Sequence, residues 1–263
     1  MRCFMDLHKL ILTENDCYKA GRYITPKGVM VHSTGANNPN LKRYVGPDDG
    51  LLGTNQNNNH WNRSGVGACV HAFIGKLADG SIATYQTLPW NMRGWHCGKD
   101  GNNTHISFEI CEDGLDDQDY FHRVYQEAVE LTAHLCRLYG LDPLDDGVVI
   151  CHSEGYRRGI ASGHADVEHW FPRFGKSMDD FRADVAAEME DENMSYEQWK
   201  EYMERYRQEL REMPESDWYQ QQDKAAVEAL GIFKPDGVVT YPQDLITREQ
   251  VGALIARYDA EKR

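Results

Sequence analysis

The hydrophobic and polar positions divide the chain into three stretches. Up to about residue 187, short apolar runs are broken by turn residues. GVMVHST reads as a buried strand ending at His32, and ACVHAFIGKLADGSIATYQT as two strands joined at Asp79-Gly80, a strong hairpin signal. THISFEICED alternates with period two, which puts Ile106, Phe108 and Ile110 on one face and Glu109 on the other. The period then changes. Val124, Ala128, Leu131, Leu135 and Leu138 form an apolar stripe at helical spacing over 120–138, and Gly140 stops it. GVVICHSE returns to a strand pattern ending at His152. Strands mixed with one long helix predict an α/β domain whose site lies at strand ends.

From about Met178 to Met213 the chain is acidic, glycine-free and helical in pattern, with Tyr196, Trp199, Met203, Tyr206 and Leu210 three or four residues apart. This stripe is read as packing on the preceding domain or on a second copy, so a homodimer through the C-terminal helical region is an expectation. The segment 188–213 is taken as an acidic helical linker. The remainder, 214–263, reads as a small helical C-terminal module in which Thr247 and Gln250 make a capping box before VGALIARY. At this size it buries little surface alone.

Charge and cysteine content narrow the classes. A net charge of -14 argues against a protein that binds nucleic acid through its backbone, and residues 188–263 supply -8 of it. No run approaches the roughly 20 apolar residues of a membrane-spanning helix. MRCFMDLHKLILTEND makes no recognisable signal peptide, so either export does not use that route or the protein is made in a cytoplasm and released later. The seven cysteines lack short metal-type pairs, and free thiols are the simpler expectation than a disulfide framework.

Eleven histidines give the chain its candidate chemistry. His32 and His152 each end an apolar strand pattern, where a side chain faces a cleft while its backbone is locked in a sheet. CHSEGYRRGIASGHADVEHWF adds His164, Asp166 and His169. Two imidazoles and a carboxylate suit zinc, which takes about four ligands and in catalytic sites leaves one position open for water. Satisfied structural or surface histidines are the competing reading. Glu109 is either a proton-transferring carboxylate facing the cleft or a solvated strand residue. The loop LLGTNQNNNHWNRSG, with Asn58 and Asn59, is either a contact to sugar or peptide or a plain surface loop.

The ordered motifs VHST, VHAFIGKLADGSIATYQTLPWNMRGWHCG, NNTHISFEI, ICHSEG and HADVEHWF resemble the type-2 N-acetylmuramoyl-L-alanine amidases over roughly residues 24–187. Within that family the chain is similar to endolysins of clostridial or related Gram-positive phages and prophages. The resemblance implies a catalytic domain over 1–187 with a central mixed β-sheet and flanking helices. It also implies a Zn2+ ion held by His32, His152 and Asp166, Glu109 as general base and acid, and peptidoglycan as substrate. His71 and His96 match positions lining the cleft, and Trp95, Asn59 and Tyr156 complete the expected substrate groove. The family commonly has lysine before the third ligand and proline after it, where this chain has His164 and Val167. His164 is therefore assigned to the oxyanion, with the exchange of roles between His164 and Asp166 left open. Lactyl–L-alanine hydrolysis is the implied reaction. A zinc peptidase acting on stem peptides and a recognition protein that binds without cutting are the alternatives. EALGIFKPDGVVTYPQDLITREQVGALIARY resembles a single surface-layer-homology-like motif, and one copy leaves wall attachment open.

Overall fold

The computed structural model describes residues 5–191 and 196–212, and the expected C-terminal module at 214–263 lies outside the described residues. The chain divides into two units, Met1–Glu192 and Asn193–Arg263. In the first unit the order is β1 (Leu7–Lys9), α1 (Asp16–Lys19), β2 (Gly28–Ser33), β3 (Ala72–Lys76), β4 (Ile82–Gln86), β5 (His105–Ile110), α2 (Gln118–Tyr139), β6 (Val149–Cys151), α3 (His152–Arg157) and α4 (Met178–Asp191). The second unit contributes α5 (Tyr196–Glu212). The helical pattern read as one stretch from Met178 is thus two helices, and α4 runs through residue 187, carrying Phe181 and Val185 into the core.

The six strands make one mixed sheet in the order β1-β4-β3-β5-β2-β6. β3 and β4 pair antiparallel, while β3–β5, β5–β2, β2–β6 and β1–β4 are parallel. The C-terminal ends of β2, β3, β5 and β6 therefore share one edge. Period two then sorts the side chains. Val29, Val31, Ala72, Ile74, Ile106, Phe108 and Ile110 face a core shared with α2 and α4, which closes over Trp170, Phe171 and Phe181. Residues between them in sequence face the other way: Phe73 joins Leu41, Tyr44, Leu52 and Tyr85 in a second core beneath the long β2–β3 connection. Met30 packs with Cys97, Ile150 and Ala161. His32 and Glu109 belong to this second face by the same alternation. Gly75 is required where that connection crosses β3, because a Cβ there would come within 2.7 Å of the Pro39 carbonyl oxygen.

α2 begins at Asp117, whose carboxylate accepts the Tyr120 N–H, and stops at Gly140 in the left-handed conformation. Its predicted stripe is buried at Val124, Ala128, Leu131 and Leu135, but Leu138 is 53% exposed. Tyr139 and Leu141 take its place against the core, since the cap turns the chain out of the helical register there. β6 ends one residue earlier than expected, so His152 opens α3 instead of closing the strand.

The expectation of free thiols is corrected at one pair. Cys17 and Cys69 form a disulfide, whereas Cys97, Cys111, Cys136 and Cys151 are free and buried. Fifty-two residues separate the pair, so no local spacing announces it. What brings the two together is Asn15, whose side-chain amide donates to the carbonyls of Trp61 and Ala68 at 2.9 and 3.1 Å and seats α1 against the segment entering β3.

Glu127 on α2 ties the helix to the sheet edge: its Oε1 accepts from Thr84 Oγ1 at 2.9 Å and from the Asp6 N–H at 3.1 Å. Burial pushes its carboxyl up to about 7. The folded state thus holds a proton that the unfolded chain releases near 4.5, and the stability this confers is full below pH 4.5 and lost as pH rises to 7. Glu127→Gln keeps the acceptor and removes the titration. Urea unfolding at pH 4.5, 6 and 8 is expected to show wild type losing about 2 kcal/mol relative to the variant across this window. That is below the full value of about 1.4 kcal/mol per pH unit because the carboxyl is not wholly shielded. Parallel curves for the two proteins would refute it.

Candidate active site

Three chain segments converge at the C-terminal edge of the sheet. His32 comes from β2, His152 from the first residue of α3, and Asp166 from a 3-10 turn, Asp166–His169, packed beneath them. His32 Nδ1 lies 3.0 Å from Asp166 Oδ2, His152 Nδ1 lies 2.9 Å from the same oxygen, and the two nitrogens are 3.1 Å apart. Among the described residues this is the one grouping of three His, Cys, Asp or Glu side chains with the geometry to hold a metal ion. Both imidazoles are buried, and burial leads in holding His32 below the ordinary histidine range. The Asp166 carboxyl is largely but not fully buried, at 12% exposure. That burial opposes ionisation, but hydrogen bonds from His152 and then His32 outweigh it and hold the group well below the usual carboxylate range. Asp166 has φ +40°, a left-handed conformation that non-glycine residues seldom adopt and that Asp tolerates better than most.

The other ring nitrogens are also occupied. His32 Nε2 is 3.0 Å from His96 Nδ1, and His152 Nε2 is 3.2 Å from Ser162 Oγ. Asn102 Oδ1 accepts from the N–H groups of both His96 and Cys97, fixing the turn that carries His96. Ser162 is held in turn by its N–H, which donates to the Cys97 carbonyl at 2.8 Å. Neither Ser162 nor Asn102 stands out in sequence, because a serine in GIASG and an asparagine in DGNN look like ordinary turn residues.

Glu109 stands opposite His32 in the parallel β2–β5 register and opposite Phe73 on β3. Its Oε2 is buried without a hydrogen-bond partner. Burial, reinforced by the carboxylates of Asp166 and Glu112, raises its carboxyl well above the usual range. A half-shielded carboxylate with an unused oxygen can take up and return a proton in the space it faces.

The remaining expected residues are spread more widely. His164 is exposed, with its ring 4.8 Å from that of His152. His71 is fully buried: its Nε2–H donates to the Met92 carbonyl at 2.7 Å, and its Nδ1 accepts the Ser107 N–H at 3.0 Å. Burial lowers its pKa to about 4, so it is a neutral bridge inside the fold. Trp95 pairs by backbone with Cys69 in both directions at 3.1 Å. Tyr156 is 56% exposed on α3. Asn59 lies away in the β2–β3 connection, where its side chain accepts from Asn55. His169 faces Glu112 at 3.0 Å instead of the Asp166 cluster.

The N-acetylmuramoyl-L-alanine amidase sequence family matches residues 22–172. Among solved structures, Staphylococcus aureus hydrolase AmiA in complex with its ligand is similar over 72% of this chain and 84% of its own, with 21% identity and a TM-score of 0.50, which is a likeness of fold. N-acetylmuramoyl-L-alanine amidase LysC from Clostridium intestinale URNW aligns over 70% of this chain and 98% of its own at 16% identity, with a TM-score of 0.42. No curated protein has significant sequence similarity to the chain. Among the described residues no helix is long and apolar enough to cross a membrane. With the family match spanning more than half of its length, the chain belongs to the N-acetylmuramoyl-L-alanine amidases, hydrolases of a linear amide in peptidoglycan.

Proposed function

We propose that the protein is a zinc-dependent hydrolase of the bond between N-acetylmuramic acid and L-alanine, and that it lyses Gram-positive cell walls as a phage or prophage endolysin. The observation that supports this best is the meeting of two imidazole nitrogens and one carboxylate oxygen within 3.1 Å, with Glu109 opposite His32 on the next strand. This donor set fits zinc. Tetrahedral zinc with bonds of about 2.0–2.1 Å sets its ligand atoms about 3.3 Å apart, close to the spacing here, and the second nitrogen of each ring already has a partner. His32, His152 and Asp166 would hold the ion. When bound, zinc supplies Lewis acidity toward the amide carbonyl and a lowered pKa for water.

The chain's own groups do the rest. With Nδ1 of His32 directed at the ion, its Nε2–H donates to His96 Nδ1, so His96 fixes the His32 tautomer and ring plane. Ser162 does the same for His152. Glu109 removes a proton from the attacking water and delivers it to the departing alanine nitrogen at its free Oε2. His164, beside His152, donates to the carbonyl oxygen as negative charge develops there.

Mass spectrometry of digested Gram-positive peptidoglycan is expected to show stem peptides beginning with L-alanine. With Glu109→Gln their release should fall by about 10²–10⁴-fold while zinc stays bound and thermal stability is unchanged or higher. Release at the wild-type rate would remove Glu109 from the chemistry, and wall binding without release would make the protein a recognition module.

His96→Phe is expected to weaken zinc affinity about 10–100-fold in a chelator competition, with little change in the unfolding midpoint of the apo protein. Equal affinities would show that the His32–His96 contact does not orient the ligand.

A further inference from the structure

One histidine of the HADVEHWF motif takes no part in this chemistry, yet it shares a turn with a candidate ligand. Asp166 and His169 open and close a single 3-10 turn. With about three residues per turn, side chains three apart lie one above the other. The turn therefore presents Asp166 and His169 on one side, Val167 on a second and Glu168 on a third. The contacts agree with this division. Asp166 reaches His32 and His152, Val167 is buried in the helical core, and Glu168 accepts two bonds from Arg157 of α3 at 3.0 and 2.8 Å. His169 Nε2 lies 3.0 Å from Glu112 Oε1.

The turn does not hold this arrangement by itself. Ala165 before it supplies no side-chain cap, and the left-handed φ of +40° at Asp166 persists only where the surroundings over-determine it. Two ion pairs grip the turn, and they differ in kind. Arg157–Glu168 is open to water, with side chains 56% and 40% exposed, so solvent and salt screen it. The Glu112 side chain is only 5% exposed, and its backbone is fixed on both sides: its N–H donates to Thr34 Oγ1 at 3.0 Å and its carbonyl accepts the Asn38 N–H at 2.8 Å. Removing one partner of a shielded pair costs far more than removing one of an exposed pair. Glu112 also shares this side of the site with two other carboxylates, since its charge and that of Asp166 both act on Glu109. His169 is the basic side chain that meets it.

We propose that His169, seated on Glu112, is the positioning residue that holds Asp166 in place for a metal ion. The proposal rests on the reading of His32, His152 and Asp166 as zinc ligands. It ties the turn carrying the third ligand to the end of β5, three residues beyond Glu109, so that Asp166 and Glu109 keep a fixed separation.

The test compares the full-length wild type with His169→Leu, His169→Gln and Glu168→Gln. Zinc affinity is read by chelator competition, and ligand geometry from the visible spectrum of the cobalt-substituted proteins. His169→Leu should weaken zinc binding about 10–100-fold and alter the cobalt band. His169→Gln, which returns a donor toward Glu112, should recover most of both. Glu168→Gln should match wild type within about twofold. Wild-type affinity and spectrum in His169→Leu, or an equal loss in Glu168→Gln, overturns the proposal. His169→Ala serves the same comparison if the leucine variant does not fold. If wild type binds neither metal, the zinc reading fails instead, and the metal-free proteins decide the positioning alone. Ring N–H protons of His32 and His152 held by Asp166 should then give slowly exchanging NMR resonances in wild type and His169→Gln. They should be lost in His169→Leu, and their retention there overturns the proposal.

Discussion

The parallel pairing of β2 with β5 is the constraint on which the rest of the structure depends. It sets His32 opposite Glu109 and, because alternate residues face alternate sides, it commits Val29, Val31, Ile106, Phe108 and Ile110 to the helical core. A slip of one residue would turn every one of these side chains to the wrong face. The apolar residues that stabilise the sheet thus also hold the register of the polar pair, and the cost of burying an imidazole beside a carboxylate is offset by packing on the opposite face. β6 extends the arrangement on the other side of β2, so that His152 begins α3 where the strand stops. Glu154 then accepts the Cys151 N–H and the Arg182 guanidinium, linking the start of α3 to α4.

Much of this was legible in the sequence, for physical reasons. Buried strands with period two and a helix of period 3.6 carry their own signatures, and the hairpin at Asp79-Gly80 and the stop at Gly140 follow from backbone conformations that glycine allows. The placing of His32 and His152 at one end of the sheet was legible too, because each closes an apolar strand pattern, although a satisfied structural histidine would read the same way. Less visible was anything decided by contacts remote in sequence. Cys17 meets Cys69 through the side chain of Asn15, and His96, read as a cleft residue, lies against His32 because Asn102 holds its turn. His71 looked like the other histidines, yet it lies just before β3, where its ring bridges two backbone groups. Leu138 fits the helical stripe by spacing and is nonetheless exposed, since a repeat says nothing about where the partner surface ends.

Charge is distributed with a purpose that net composition hides. Acidic residues give the chain its overall sign, and the buried carboxylates divide into two kinds. Asp166 is kept ionised by two imidazoles, whereas Glu109 and Glu127 are pushed toward the neutral form by burial. The same physical principle separates a carboxylate suited to holding a cation from one suited to taking up and returning a proton.

The strand order also has a consequence in time. β2 is an interior strand of the sheet, but its partners are made later: His152 follows His32 by 120 residues and Asp166 follows it by 134. At a synthesis rate of about 5–20 residues per second, His32 waits on the order of ten seconds for the groups it must meet. β5 joins β2 once Ile110 has been made and β6 only after Cys151, and no fragment ending before Asp166 contains all three candidate ligands. A candidate centre assembled this way is incomplete on every nascent chain that stops short of Asp166.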